Sequence, residues 1–507
     1  MSTHYDGDTF AARVAERRAQ ESIPRHRRRP TRRLTATAVA GIAAAFTMLV
    51  GTIVGTTPTH THPGWPSGAG ESYGRATHGD VVVILTDDMR YDDLRAMPFT
   101  RRFFEASWRN HYSTTPLCCP ARATLLTGQY AHNHHVTSNV PPTGGYSQFK
   151  AHGQDRALPT WFDEYYHTAF IGKYLNGYGP GSTSLTERPR GWDSWQPLWG
   201  GVYSTRAGSY TINANGKVAR PQAYQTHELT RRAVRHIAGM RHMPQRRELT
   251  FVSYMAPHHN LDPKLPYILA APRYRGDSNA GVPESGAFNE RRIGDKPAWL
   301  QRMPRLTAGE VRRAALWREQ RRDALRSVDD GVRAIVEATK RAGSFDRTMF
   351  VFTSDNGFQL GEHRVMGKRL PYRESARVPL LMHGPQVKPG VRTQVAGNID
   401  VARTLAIAAN VEPRLTLDGV NLLRPYERRM LLLESPAAFG PMPEWESVVG
   451  PALQYTEWSG GDTELYDIAA DPGQTLNRSG VSRYGADAAR AASVLDQYRD
   501  CAGAGCR

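Results

Sequence analysis

Five short apolar runs stand out along the chain: DVVVILT at 80–86, TAFIG at 168–172, LTFVSYM at 249–255, TMFVFTS at 348–354 and VPLLMHG at 378–384. They are rich in β-branched and aromatic residues and too short for helices, so they predict buried strands. Between them the apolar positions take up helical spacing. In QTHELTRRAVRHIAGM, Leu229, Ala233, Ile237 and Met240 fall on one side, and the long basic stretch 308–341 has Leu316, Val328, Val332, Ile335 and Val336 as its apolar positions. Strands alternating with helices predict an α/β fold, a mostly parallel sheet covered on both faces. Such folds bind ligands at the carboxyl ends of their strands. Further on, 398–411 predicts a helix with Asp400 as its cap, and MLLLESP and ELYDIAADP predict strands of a smaller C-terminal unit.

Upstream the pattern changes. Segment 34–55, LTATAVAGIAAAFTMLVGTIVG, has no charged residue and is long enough to cross a bilayer as one helix. The arginines of 25–33 hold the N-terminus in the cytoplasm, and Arg32-Arg33 before an apolar run also looks like a twin-arginine export signal. The Thr/Pro/Gly/His-rich stretch that follows has no A-x-A cleavage site, which favours an uncleaved anchor. The expected organisation is a basic cytoplasmic leader (1–33), a signal-anchor or uncleaved signal helix (34–55), a linker (56–78), a main domain (79–425) and a small C-terminal subdomain (426–507). The body then lies outside the cytoplasm, held at the cell membrane by a single pass, or secreted if the N-terminal segment is cleaved.

Composition adds two constraints. At 507 residues, with 40% hydrophobic content, the chain can bury a large core and is globular rather than disordered. Nine arginines against four acids in 1–33 account for +5 of the +17 net charge, which leaves the remainder basic at +12. A basic body suits a polyanionic partner or an anionic substrate. No internal repeat and no nucleic-acid-binding motif is present.

The candidate chemistry sits where strands end. DVVVILT runs into Asp87 and Asp88, and TMFVFTS into Asp355 and Asn356. If both strands lie near the middle of the sheet, four oxygen donors converge, a set that favours a hard cation, calcium or magnesium, over zinc or copper. A second feature is TTPLCCPARATLLTGQYAHNHHV, which holds two of the four cysteines. Pro120 fits the first turn of a helix and Gly128 its end, so Cys118 and Cys119 stand at a helix N-terminus, where free N–H groups attract an anion and Arg122 adds a positive charge. Cys501 and Cys506 could close a small loop near the end of the chain.

The string Cys118-x-Pro120-x-Arg122-x-x-x-Leu126-Thr127-Gly128 resembles the signature of the type I sulfatase family, in which the cysteine is oxidised to formylglycine. Six fixed residues would arise by chance in a chain of this length with a probability of about 10⁻⁵ on uniform usage. Other pieces of the family's pattern follow in order: the strand-end Asp pair, GKYLNGY with Lys173, APHH with His258, SDNG with Asp355 and Asn356, and GEHRVMGK with Lys368. The resemblance implies an alkaline-phosphatase-like sheet sandwiched by helices, with a small C-terminal α+β subdomain. It implies catalysis by a formylglycine hydrate at Cys118, one hydroxyl attacking sulfur and the other releasing sulfate. It further implies one Ca²⁺ held by Asp87, Asp88, Asp355, Asn356 and modified Cys118. Arg122 would hold the formylglycine, Lys173 and Lys368 the sulfate oxygens, and His258 would protonate the leaving oxygen.

Within the family, CCPARATLLTGQYAHNHHV, GKYLNGYG, PRGWDSW, YTINANGK, APRYRG and FNERRIGDKPAWL are similar to the N-acetylglucosamine-6-sulfatase and heparan endosulfatase branch. That implies a sulfated sugar or glycosaminoglycan substrate, with glucosamine 6-O-sulfate preferred, and a formylglycine-generating enzyme as partner. Many arylsulfatases carry a histidine two residues after the lysine of GKYL; here Leu175 stands there, followed by Asn176. Two alternatives stay open: a phosphate or phosphonate ester hydrolase of the same fold, and a non-catalytic polyanion-binding surface protein.

Overall fold

The computed structural model describes residues 79–162, 166–260, 267–437 and 442–507. The apolar segment 34–55 and its basic flank lie outside the described residues; among those described, no helix is long and apolar enough to cross a membrane. In chain order the strands are β1 (Asp80–Thr86), β2 (Ala106–Tyr112), β3 (Tyr166–Gly172), β4 (Ser194–Gly200), β5 (Thr211–Asn213), β6 (Val218–Ala219), β7 (Arg247–Ser253) and β8 (Thr348–Ser354). A short pair, β9 (Gln359–Leu360) and β10 (Met366–Gly367), precedes β11 (Leu380–His383) and β12 (Gly390–Gly397). Apart from β9 and β10 these form one sheet in the order β12-β2-β11-β8-β1-β7-β3-β4-β5-β6.

Its middle is parallel, with Val83 of β1 opposite Phe251 of β7 on one side and Val351 of β8 on the other. β11 runs against both neighbours, so the apolar run at 378–384 is a strand of reversed direction. Every residue of β1 is buried. Alternate side chains serve opposite faces, which is why the strand reads as a continuous apolar run rather than an alternating one. Val81, Val83 and Leu85 pack with Val401 and Leu405 of the helix Ile399–Ala409 and with Leu125 and Leu126 of the helix Cys118–Thr127. Val82 and Ile84 pack with Leu229 and Ile237 of the helix Gln225–Met240 and with Val328 and Val332 of the helix Ala308–Ala342. Each such side chain, fully buried, stabilises the fold by roughly 1.5–3 kcal/mol.

The helix Ala308–Ala342 starts at a capping box, Thr307 with Glu310, and ends at Gly343 in the left-handed region. Two expectations fail locally. Leu316 is 49% exposed, because the buried stripe of this helix runs through Ala314, Trp317, Arg321 and Ala324 and passes it by. Asp400 is not a cap: Asn398 occupies the N-cap, while Asp400 in the first turn accepts from the backbone N of Gly397 and Val420 and forms a two-point ion pair with Arg428 at 2.6 and 2.8 Å. Its carboxylate therefore ties the helix to the segment that follows.

Beyond the main sheet, β13 (Leu431–Glu434), β14 (Trp445–Val449), β15 (Leu453–Trp458) and β16 (Thr463–Asp467) form a small antiparallel sheet. The helix Gly485–Tyr498 joins its core through Ala491 and Leu495. Cys501 and Cys506 are disulfide-bonded. His132, from the histidine-rich stretch after Cys118, links this unit to the main sheet through Glu434 Oε1 at 2.7 Å and the carbonyl of Cys501 at 2.8 Å.

Candidate active site

The parallel pairing of β1 with β8 sets Thr86 opposite Ser354, so the residues that leave the two strands emerge side by side at their carboxyl ends. Asp88 then donates its backbone N–H to Asp355 Oδ1 at 3.0 Å, and Asn356 Nδ2 donates to Asp88 Oδ1 at 2.7 Å. Asp88 holds φ at 66°, a conformation that Asp tolerates better than most side chains. The helix Cys118–Thr127 begins beside this corner and ends at Gly128 (φ 68°). Its first residue places Cys118 Sγ 3.6 Å from Asp87 Oδ1.

Three cations close the corner. Gly172 (φ 111°) ends β3 against β7 so tightly that a Cβ would sit 1.9 Å from the carbonyl O of Ser253; only glycine lets the chain turn there. The next residue, Lys173, donates its backbone N–H to that same carbonyl at 2.9 Å and rests its ammonium on Asp87 Oδ2. Lys368, just beyond β10, reaches Asp88 Oδ1 at 2.5 Å and Cys118 Sγ at 2.8 Å. Arg122 donates from Nε to Asp355 Oδ2 and from Nη1 to the Lys173 carbonyl and Ser253 Oγ, each at 2.8 Å. Its Nη2 lies 3.4 Å from Asp87 Oδ2. His258, after β7, has Nδ1 2.8 Å from its neighbour's carbonyl, which leaves Nε2 turned inward, 3.6 Å from Asp88 Oδ2. All nine residues singled out from the sequence thus meet at one buried point.

Burial and charge oppose each other here. Burial alone would raise the carboxyl of Asp87, but Lys173, His258 and Arg122 hold it well below the usual carboxylate range. Burial pushes Asp355 up to about 6, with the negative charge of Asp87 adding to the effect. Against the cost of burial, Asp88 keeps Lys368 charged well above the normal lysine range. Burial pushes both Cys118 and Cys119 up to about 12, so both thiols are neutral. Their surroundings differ: Cys119 packs into the apolar layer and donates its backbone N–H to Asn139 Oδ1, whereas Cys118 faces the charged corner.

The donor set fits a hard divalent cation. Asp88 Oδ2 and Asn356 Oδ1 are buried oxygens that accept no hydrogen bond, and Asp87 Oδ2 faces only cationic groups. Such atoms are costly unless a cation or donor completes them. Ligand atoms of Asp87, Asp88, Cys118 and His258 lie within 4.8 Å of one another. Asp355 differs, since its oxygens already accept from the backbone N of Asp88 and Asn356 and from Arg122.

A supporting layer was not visible in the motifs. Arg321, on the buried stripe of its helix, donates to the carbonyl of Asp88 and, at 3.1 Å, to Asp93 Oδ2. Its spacing from Trp317 and Ala324 was the available signal: a charged residue on an apolar face. Leu175 turns into the apolar layer, so the next residue, Asn176, is the one beside the pocket.

A profile of the family described as Sulfatase matches residues 79–411, which contain every residue of this corner. The chain belongs to the sulfatase family. It is 31% identical over 361 residues to a putative extracellular sulfatase Sulf-1 homolog of Caenorhabditis elegans, a match covering 68% of this chain and 48% of that protein. It is 29% identical over 360 residues to the N-acetylglucosamine-6-sulfatase of Homo sapiens, covering 68% and 63%. The match thus spans about half to two thirds of the length of these relatives. Among solved structures, one described as a complex with its substrate D-glucosamine-2-N,6-O-disulfate superposes with a TM-score of 0.68 at 20% identity, covering 83% of this chain and 97% of that one. The sulfatase fold, a large mostly parallel sheet with helices and a small antiparallel C-terminal sheet, is therefore shared.

Proposed function

We propose that this sulfatase-family chain hydrolyses sulfate esters of sugars, with glucosamine 6-O-sulfate preferred, at Cys118 after its oxidation to formylglycine. The observation that carries the reading is the contact of Lys368 Nζ with both Cys118 Sγ and Asp88 Oδ1, which sets a modifiable side chain at a helix start between an ammonium and a carboxylate corner. As its hydrate, formylglycine supplies the oxygen that attacks sulfur and a second hydroxyl for releasing sulfate. One Ca²⁺, held by Asp87, Asp88, Asp355, Asn356 and modified Cys118, would polarise the sulfate oxygens.

The chain's own groups do the rest. Lys173 and Lys368 neutralise the sulfate oxygens as charge builds on them, and Arg122 fixes the carboxylates and the end of β3. His258 gives up a proton from Nε2 to the leaving oxygen as the imidazolium, since its Nδ1–H is donated to a backbone carbonyl; burial pushes the ring down to about 3, which makes it a strong acid once protonated. The glucosamine assignment is supported by the names of the relatives and by the motifs shared with that branch. A formylglycine-generating enzyme and a sulfated polysaccharide are the partners this reading requires. We place the catalytic body (79–425) and its C-terminal subdomain (426–507) outside the cytoplasm, anchored through 34–55 or released by cleavage there.

The test is sulfate release from 6-O-sulfated N-acetylglucosamine, followed by ion chromatography, with enzyme made alongside a formylglycine-generating partner. The same lysine pair would hold a phosphate monoester, so an aryl phosphate is the competing substrate. Better turnover of the phosphate makes the chain a phosphate ester hydrolase; turnover of neither makes it a polyanion-binding protein.

A further inference from the structure

Tyr203 faces the same pocket from the turn that follows β4. Its ring centroid lies 4.9 Å from Lys173 Nζ and 4.8 Å from the imidazole centroid of His258. It therefore borders both the group proposed to hold sulfate and the group proposed to protonate the leaving oxygen. The Tyr203 hydroxyl accepts a hydrogen bond from Asn176 Nδ2 at 2.8 Å, while Asn176 Oδ1 is buried and accepts none. With the amide so placed, the phenolic proton is not used in that bond and is available to a ligand. A buried polar atom left unsatisfied costs about 1–3 kcal/mol, which makes such a pair more natural in a binding pocket than in a core.

The pair is also held in place. Gln225 Nε2 donates to the carbonyls of Val202 and Ser204, both at 3.0 Å, gripping the turn on either side of Tyr203. Thr205 N donates at 3.2 Å to Oδ1 of Asn260, two residues beyond His258, so the turn and the histidine segment are joined. The carbonyl of Asn176 accepts from the backbone N of Tyr146 at 2.7 Å. A donor fixed on three sides costs little reorganisation when charge develops opposite it.

We propose that Tyr203, oriented by Asn176, donates a hydrogen bond to the ester-bridging oxygen of the substrate and so favours alkyl sulfates, such as those of sugars, over aryl sulfates. The inference rests on the sulfatase reading above. As the bond from the attacking hydroxyl oxygen to sulfur forms, that hydroxyl's proton passes to the Asp87 carboxylate beside residue 118, while the bond from sulfur to the bridging oxygen breaks and its electron pair passes to that oxygen. The proton comes from His258 Nε2; Tyr203 keeps its own. A sugar alkoxide is far more basic than a phenoxide, so a hydrogen-bond donor at this oxygen matters more for the sugar ester.

Tyr203→Phe keeps the ring against Lys173 and His258 and removes only the hydroxyl; Asn176→Ala removes the orienting amide. Both would be compared with wild type on 6-O-sulfated N-acetylglucosamine and on aryl sulfates of increasing leaving-group basicity. The expected result for Tyr203→Phe is a loss of roughly 10- to 100-fold on the sugar sulfate, mostly in kcat, with little change on the most activated aryl ester. Asn176→Ala should show the same trend with a smaller loss. An unchanged rate on the sugar sulfate, or an equal loss on every substrate, overturns the assignment. Wild-type enzyme that releases sulfate from none of them overturns the reading of the whole site, and this inference with it.

Discussion

Lys368 Nζ donates to Cys118 Sγ at 2.8 Å while the adjacent thiol, Cys119, is enclosed in the apolar layer. Both thiols are neutral, so ionisation does not tell them apart; position does. Oxidation is therefore expected at Cys118 alone. Mass spectrometry of the tryptic peptide that contains both should show an aldehyde at Cys118 and a thiol at Cys119. Cys118→Ala should abolish turnover, and Cys119→Ala should keep most of it. An active enzyme with an intact Cys118 thiol would refute the mechanism.

The buried oxygens of Asp87, Asp88 and Asn356 lead to a second expectation. A cation that binds only the folded site raises stability with concentration, so chelation should lower the melting temperature and calcium should restore it. Asp88→Asn should lose on the order of 100-fold or more in activity, keep its far-UV circular dichroism and respond weakly to calcium. Elemental analysis of active protein showing stoichiometric zinc without calcium would contradict the oxygen-donor reading.

The central strands were legible because a strand covered on both faces has no polar alternation to blur it, as in DVVVILT and TMFVFTS. The sheet's flanks were not. β12, GVRTQVAG, is polar and largely exposed over its first half, and β4, SWQPLWG, contains a proline and two tryptophans, so neither matches a simple periodicity. The charged corner was legible from motifs because its residues leave strands or start a helix at fixed offsets. Arg321 and Tyr203 were hidden for the opposite reason: their partners, Asp88 and Asn176, are distant in sequence and brought close only by the sheet order. Asp400 was misread because a carboxylate near a helix start serves equally as a cap or as the partner of a distant arginine, here Arg428.

Far from the active site, at the amino end of the sheet, Glu248 on β7 is buried beside Asp80 on β1. Burial, reinforced by the charge of Asp80, pushes its carboxyl up to about 8, above the ordinary 4.5. The folded state therefore holds the proton more tightly than the unfolded chain. Its contribution to stability is complete below about pH 4.5 and is lost as pH rises through about 8, on the order of a few kcal/mol. Thermal melts should show wild type losing stability across that window more steeply than Glu248→Gln, which cannot ionise. Parallel profiles for the two proteins would show that Glu248 ionises freely.

The last expectation concerns how a polymeric substrate finds the site. Of the net charge of +17, +12 belongs to the chain beyond residue 33, so the body carries a positive field of its own. Capture of an anion by such a surface weakens as salt shortens the Debye length, from about 10 Å at 0.1 M to about 3 Å at 1 M. A monosaccharide sulfate meets mainly the lysine pair in the pocket, whereas a longer sulfated oligosaccharide also meets the surrounding surface. Raising ionic strength should therefore lower kcat/KM for the oligosaccharide several-fold, through KM, and affect the monosaccharide less. Equal salt dependence for the two would confine recognition to Lys173, Lys368 and their immediate neighbours. A salt-dependent rate on the oligosaccharide with no hydrolysis of the 6-O-sulfated monosaccharide would keep the polyanion contact and discard the glucosamine 6-O-sulfate assignment.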